Sequence, residues 1–246
     1  MEFSVPILAV TTRGLRGRVA SARAALAWIA ERGVAQVVVD ATAADVRPRA
    51  LDRAGRRELA ATVKRLGQRC VGVDLLIPPE HFESSANAER AVGAVVDAIG
   101  LAADLRGFGA AADEPVVCVS MGSEPVGGVL ESIGAASERD GVLVAVLGGP
   151  ADAGCVAVEL GPWARSGIDA ASKVAEIGAS LGVVRVDRFD RRTLGEVGAC
   201  VGAMSVASPG SVGVADLTDS ADPGRALEAC VGVWGSLLGG ETPPPL

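Results

Sequence analysis

The sequence predicts an α/β fold, a closed (β/α)8 barrel, and three observations carry that prediction. Near-continuous apolar runs rich in Val recur along the chain, amphipathic helical patterns fill most of the gaps between them, and 246 residues accommodate eight such units. Strands buried on both faces of a parallel sheet read as unbroken hydrophobic runs, because helices cover each face. Eight such units in about 250 residues is the size of a closed barrel. One interval departs from the pattern: seven residues separate Leu147 from Cys155, fewer than the dozen or so a parallel crossover needs. The barrel is therefore expected to have a shortened fifth unit, with an open doubly wound sheet as the alternative.

The elements follow in order. Phe3 to Val10 is a first strand broken by Thr11-Thr12-Arg13-Gly14. Ser21 caps a helix whose apolar positions Ala22, Ala25, Leu26 and Ile29 keep the helical period up to Gly33. Gln36 to Ala41 is a buried strand ending in Asp40, and Asp52 caps a helix closed by Gly67. The stretch from Val71 to Phe82, VGVDLLIPPEHF, is an apolar strand stopped by a Pro pair and followed by Glu80 and His81, the chain's single histidine. A long helix from about Asn87 to Leu105 comes next, then strands at 116–122, 142–147, 155–160, 183–187 and 212–217. Helices are expected around Leu130 and Ile133, from Asp169 to Gly178, around Leu194 and Val197, and from Pro223 to Leu238. No linker or shift in composition divides the chain, which reads as one domain over 1–240 with a disordered Pro-rich tail, ETPPPL, at 241–246.

Composition narrows the function. A net charge of −7 argues against a partner rich in phosphate backbone, and no apolar run reaches the length of a membrane span. The N-terminus lacks a basic leader and a cleavage signal and reads as a first strand. Five scattered cysteines without CxxC spacing read as reduced core residues of a cytoplasmic protein. The glycine clusters match neither GxGxxG nor a P-loop in a strand-to-helix setting.

In a closed barrel, reactive groups collect where the strands end. The polar strand ends are Thr11, Thr12 and Arg13; Asp40; Asp74 and then His81; Ser120; Glu159; Arg185, Asp187 and Arg188; and Asp216. Alternation sharpens the choice. Val156 and Val158 oppose Cys155, Ala157 and Glu159; Val184 and Val186 oppose Arg185 and Asp187; Val117 and Val119 oppose Cys118 and Ser120. With the large apolar residues against the helices, Glu159, Asp187, Arg185 and Ser120 surround a shared mouth. Glu159 and Asp187 are candidates for proton transfer next to a carbonyl, with ion pairing to Arg185, Arg188 or Arg165 as the structural alternative. His81 is a candidate acid, base or donor at the mouth, or else a packing residue of a loop. Arg13, Asp40, Asp74, Ser120, Arg185 and Asp216 are candidate substrate contacts; an exposed loop for Arg13, and bonding to nearby amides for Asp40 and Asp74, are their structural readings.

The eight units, the strand leaving through IPPEHF and the segment RPRALDRAGRRELAATVKRLG at 47–67 resemble the xylose-isomerase-like TIM barrels, a group of sugar isomerases, sugar-phosphate epimerases and endonuclease IV-type nucleases. The resemblance implies carbohydrate metabolism: isomerisation or epimerisation of a small sugar or sugar phosphate through a divalent metal held by two Glu, an Asp and a His at the later strand ends. Here the fifth strand ends in Gly148-Gly149 and the seventh in Val-Asp-Arg, so that ligand set is incomplete. No cofactor is expected. The exception would be Mg²⁺ or Mn²⁺ held by Glu159, Asp187 and Asp216. A barrel that kept its fold and became a sugar-binding or interaction protein is the alternative function. A nuclease, which needs several metal-binding histidines, is not supported by a chain with one. Neither nucleic acid nor membrane is an expected partner, and a homo-oligomer is left open.

Overall fold

A computed structural model describes residues 6–149 and 154–236, and in it eight parallel strands close on themselves in sequence order. Strand β1 (Ile7–Thr11) pairs with both β2 (Gln36–Asp40) and β8 (Val212–Ala215), which is the closure. Between these run β3 (Arg69–Leu75), β4 (Ala111–Ser120), β5 (Leu143–Leu147), β6 (Cys155–Glu159) and β7 (Leu181–Val186). The outer ring contains α1 (Ala22–Ala30), α2 (Arg53–Arg65), the single turn α3 (Glu80–Glu83), α4 (Ser85–Gly107), α5 (Val129–Asp140), α6 (Leu160–Ser166), α7 (Ala170–Ile177), α8 (Arg191–Ala207) and α9 (Pro223–Ser236). The open-sheet alternative is thereby excluded. Strands β5 and β6 pair in parallel although seven residues separate them. The Pro-rich tail expected at 241–246, and positions 150–153 of the short fifth unit, lie outside the described residues.

The caps foreseen for α1 and α2 are in place. Ser21 accepts from the Ala24 amide at 3.1 Å and Asp52 from the Gly55 amide at 2.8 Å, each satisfying an amide with no partner inside the helix. Gly67 follows α2 at a φ of 66°, a conformation L side chains resist. Two short helices were not foreseen. The Pro pair at 78–79 reads as a stop, yet Pro79 sits where a helix starts, as does Pro162, and there a missing amide hydrogen costs nothing.

Residues alternate across the sheet as expected. Val156, Val158, Val184 and Val186 pack against the helices, while Ala157, Cys118 and Val183 join Ala9, Val38, Ala145 and Val214 in a narrow interior core. Strand β3 breaks the rule. Cys70 packs outward, so strict alternation would turn Asp74 outward too. Instead one extra residue lies between Cys70 and Gly72 relative to β2, and beyond it Val73 packs against the helices. That bulge reverses the phase and turns Asp74 into the barrel. Gly72 permits it: a Cβ there would lie 2.5 Å from the Val116 carbonyl oxygen.

Trp234 of α9 covers the closing seam. Its ring lies over Gly213 of β8, and its Nε1 donates to the Pro6 carbonyl at 2.9 Å. The last helix is thus tied to the start of the first strand.

Candidate active site

A buried ionic network fills the barrel axis just below its C-terminal mouth. Arg185 donates to both oxygens of Asp74, at 2.7 Å from Nη1 and 3.2 Å from Nη2. The same Nη2 donates to Asp216 Oδ2 at 2.6 Å. Thr11 Oγ1 donates to Asp74 Oδ2 at 2.6 Å, and Asp216 Oδ1 accepts from the Thr218 amide and hydroxyl at 3.1 and 2.5 Å. Arg185 and Asp74 are both 0% exposed. Burial opposes the Arg185 charge, but Asp74 and Asp216 more than offset it and hold the guanidinium firmly protonated. Burial likewise opposes ionisation of Asp216, and Arg185 with Thr218 outweighs it, so this carboxyl is a stronger acid than usual. Cys118, beside Asp74 in register on β4, has its thiol pushed up to about 12 by burial, against the pull of Arg185.

Above the network the mouth opens into two adjoining cavities of about 610 and 320 Å³, which share Arg13, Leu76 and Glu159. The larger extends over Pro78, Ser120, Met121 and Gly148; the smaller holds Asp187, Asp216, Arg165 and Arg188. Glu159 is half-buried at the end of β6, beside Arg185 in register. Burial raises its pKa above the usual carboxylate range and the nearby Asp187 raises it further, with Arg185 and Arg13 opposing. Asp187 is oriented by the backbone: its Oδ1 accepts from the Gly161 amide at 2.7 Å. Gly161 allows this approach, because a Cβ there would come within 2.5 Å of the carboxylate. Among the described residues neither Glu159 nor Asp187 forms an ion pair, so the pairing with Arg185, Arg188 or Arg165 is not what holds them.

The structure brings together Glu159, Asp187, Arg13, Ser120 and Asp216. It withdraws Asp40, Asp74 and Arg185 from direct contact with a substrate. Asp40 is 1% exposed and its Oδ1 is occupied by the Thr42 amide and hydroxyl, at 2.9 and 2.6 Å. Asp74 and Arg185 are spent on each other. His81 lies in the turn α3 and not in a loop, and its amide donates to the Pro78 carbonyl at 3.1 Å. It lines neither cavity, and the oxygens of Asp74 are already taken by Thr11 and Arg185. Thr218 and Gly161 escaped the sequence reading. Thr218 falls beyond the last strand, and Gly161 contributes only its backbone.

The donor set does not fit the divalent metal that the resemblance implies. Of the three remaining carboxylates, Asp216 is committed to Arg185 and Thr218, and one oxygen of Asp187 to the Gly161 amide. Among the described residues the end of β5 supplies Leu147 and Gly148 to the mouth and no carboxylate. Among the described residues no group of three or more His, Cys, Asp or Glu side chains is arranged to hold a metal ion.

No protein-family profile and no curated protein matches the sequence. Solved structures do resemble it in fold. A D-psicose 3-epimerase from Clostridium cellulolyticum H10 superposes with a TM-score of 0.68 at 13% identity, over 94% of this chain and 99% of that one. An L-ribulose 3-epimerase gives 0.66 at 12% identity, over 97% of this chain and 100% of that one. A xylose isomerase domain containing protein from Salmonella typhimurium LT2 gives 0.56 at 14% identity, over 97% and 99%. The (β/α)8 barrel of this chain therefore has the fold of the xylose-isomerase-like TIM barrels.

Proposed function

We propose that the protein is a sugar isomerase or epimerase that moves a proton at the carbon next to a carbonyl, with a small ketose or its phosphate as substrate. The observation that carries this reading is the pair Glu159 and Asp187: two carboxylates that form no ion pair among the described residues, facing one mouth, one of them a weakened acid. A carboxylate whose pKa lies above its usual range is a better base and shares its proton more evenly with a carbon acid. The fold likeness to epimerases adds to the reading without carrying it, since one barrel supports many chemistries.

In this scheme Glu159 takes the proton from the carbon beside the carbonyl, and the electron pair moves into an enediolate. Two outcomes follow from the enediolate: in epimerisation Asp187, held by the Gly161 amide, relays a proton from water to the opposite face of the same carbon, and Glu159 later releases its own proton to water. In isomerisation Glu159 returns its proton to the former carbonyl carbon while Asp187 carries the hydroxyl proton from one oxygen to the other. Arg13, which lines both cavities, meets the developing oxyanion or an anionic group of the substrate. Ser120 and the Pro78 turn bound the larger cavity, where the rest of the sugar chain lies.

The test is solvent exchange. Ketopentoses, ketohexoses and their phosphates are incubated in D₂O, and deuterium at the carbon next to the carbonyl is followed by NMR. The wild-type protein is expected to exchange at least one of them, and Glu159→Gln and Asp187→Asn each to lose about 10²-fold or more. Binding without exchange in the wild type would overturn the enzyme and leave a sugar-binding barrel.

A further inference from the structure

The point where Asp74 and Asp216 converge is filled by a side chain. Arg185 Nη2 lies 3.2 Å from Asp74 Oδ2 and 2.6 Å from Asp216 Oδ2. Divalent cations take carboxylate oxygens at about 2.0–2.6 Å, so an ion centred on that nitrogen would need shifts of only about an ångström to bind both. We propose that Arg185 is the fixed cation of this barrel, a guanidinium built into the chain at a point where these carboxylates would otherwise take up a divalent metal.

Three observations support this. The network carries two carboxylates against one guanidinium, all at or near zero exposure, and two buried anions so close cannot both stay ionised without a cation between them. Among the described residues, Arg185 Nε is buried without a hydrogen-bond partner. The guanidinium's position is thus set by the two carboxylates and not by full satisfaction of its own donors. Asp216 also lines the smaller cavity beside Glu159, so the point can be reached from the mouth once the guanidinium is removed. Arg185 touches no substrate in this arrangement and is a positioning residue. The inference concerns the cation and not turnover, so it can fail while the proposed reaction stands, and the reverse.

The experiment is a Mn²⁺ titration, up to roughly 1 mM, of the full chain, read by thermal melts and by metal content after desalting. The wild-type melting temperature is expected not to move. Arg185→Met, which removes the charge and keeps most of the length, is expected to melt lower without metal, to recover several degrees with Mn²⁺, and to retain about one equivalent. Adding Asp216→Asn should abolish that response. Arg185→Lys keeps a cation in place and should stay insensitive to Mn²⁺. Stoichiometric Mn²⁺ on the wild-type protein would overturn the proposal, because metal and guanidinium would then coexist. A Mn²⁺-responsive Arg185→Lys would do the same, as would a folded Arg185→Met indifferent to metal. Failure of Arg185→Met to fold with or without Mn²⁺ would also count against it, since the ion could not then replace the guanidinium.

Discussion

From β7 through β8 and β1 to β3 the strand ends carry Asp187, Arg185, Asp216, Thr11, Asp40 and Asp74, whereas β4 and β5 end in Ser120, Met121, Leu147 and Gly148. The charged side is the tighter one: Arg185, Asp74, Asp216 and Thr11 bond to one another beneath it, and only the smaller cavity lies over it. The uncharged side is open, and the larger cavity lies over it. Glu159, at the end of β6, stands at the border and belongs to both cavities. The contrast separates two tasks. A preorganised electrostatic wall costs stability and must be rigid, while an uncharged wall shapes what enters and can vary cheaply.

The largest effect expected from breaking the charged side comes at Asp74. Asp74→Ala leaves Arg185 buried with half its partners gone and the Thr11 hydroxyl without its acceptor. Removing one member of a buried ion network costs about 3–5 kcal/mol, or a fall of roughly 10 °C in Tm for a chain of this size. Ser120→Ala across the mouth serves as the control and should stay within about 0.5 kcal/mol. Thermal and urea melts of the two variants measure the difference. Equal costs would mean that the network is not what holds the mouth.

Gly161→Ala is expected to come next, at about 1–3 kcal/mol, because the added methyl group falls on the Asp187 carboxylate and something must shift. Its signature is in the site. Asp187 loses the amide that orients it, so solvent exchange should fall by at least tenfold while sugar binding, measured by titration calorimetry, changes little. Unchanged exchange would remove Asp187 from the proton transfer.

These variants also mark what the sequence could and could not reveal. The barrel was legible because Val-rich strands recur eight times with helical patterns in most of the gaps, and the alternation in β4, β6 and β7 correctly turned Ser120, Glu159 and Arg185 inward. Alternation could not say how deep a residue sits along its strand. Arg185 and Glu159 are register partners on adjacent strands, yet one is sealed and the other reaches the mouth. Depth comes from barrel stagger and from partners more than a hundred residues away, such as Asp74 for Arg185. Nor could periodicity place Asp74, which depends on the bulge at Gly72; a glycine inside an apolar strand was the available signal. His81 drew attention as the chain's single imidazole, but residue type carries no position, and α3 holds it away from both cavities.

The smallest effect concerns acidity, and it separates the two sides by sign. Asp216 is a stronger acid in the fold than its ordinary value of 3.8, so the stability it contributes is present above that value and is lost as pH falls through the lowered one. Glu159 is a weaker acid than its ordinary 4.5, so the folded chain holds this proton more tightly than the unfolded chain does. Stability is then greatest below the ordinary value and declines as pH rises through the raised one, where the charged carboxylate meets Asp187 in a half-buried site. Glu159→Gln deletes that decline. Its Tm should match the wild type near pH 4 and exceed it by about 1–3 °C above roughly pH 7, with melts taken at half-unit steps between. A variant less stable than the wild type at neutral pH would mean that the Glu159 charge is compensated in the fold. The weakened acidity that recommends it as the base would then be gone.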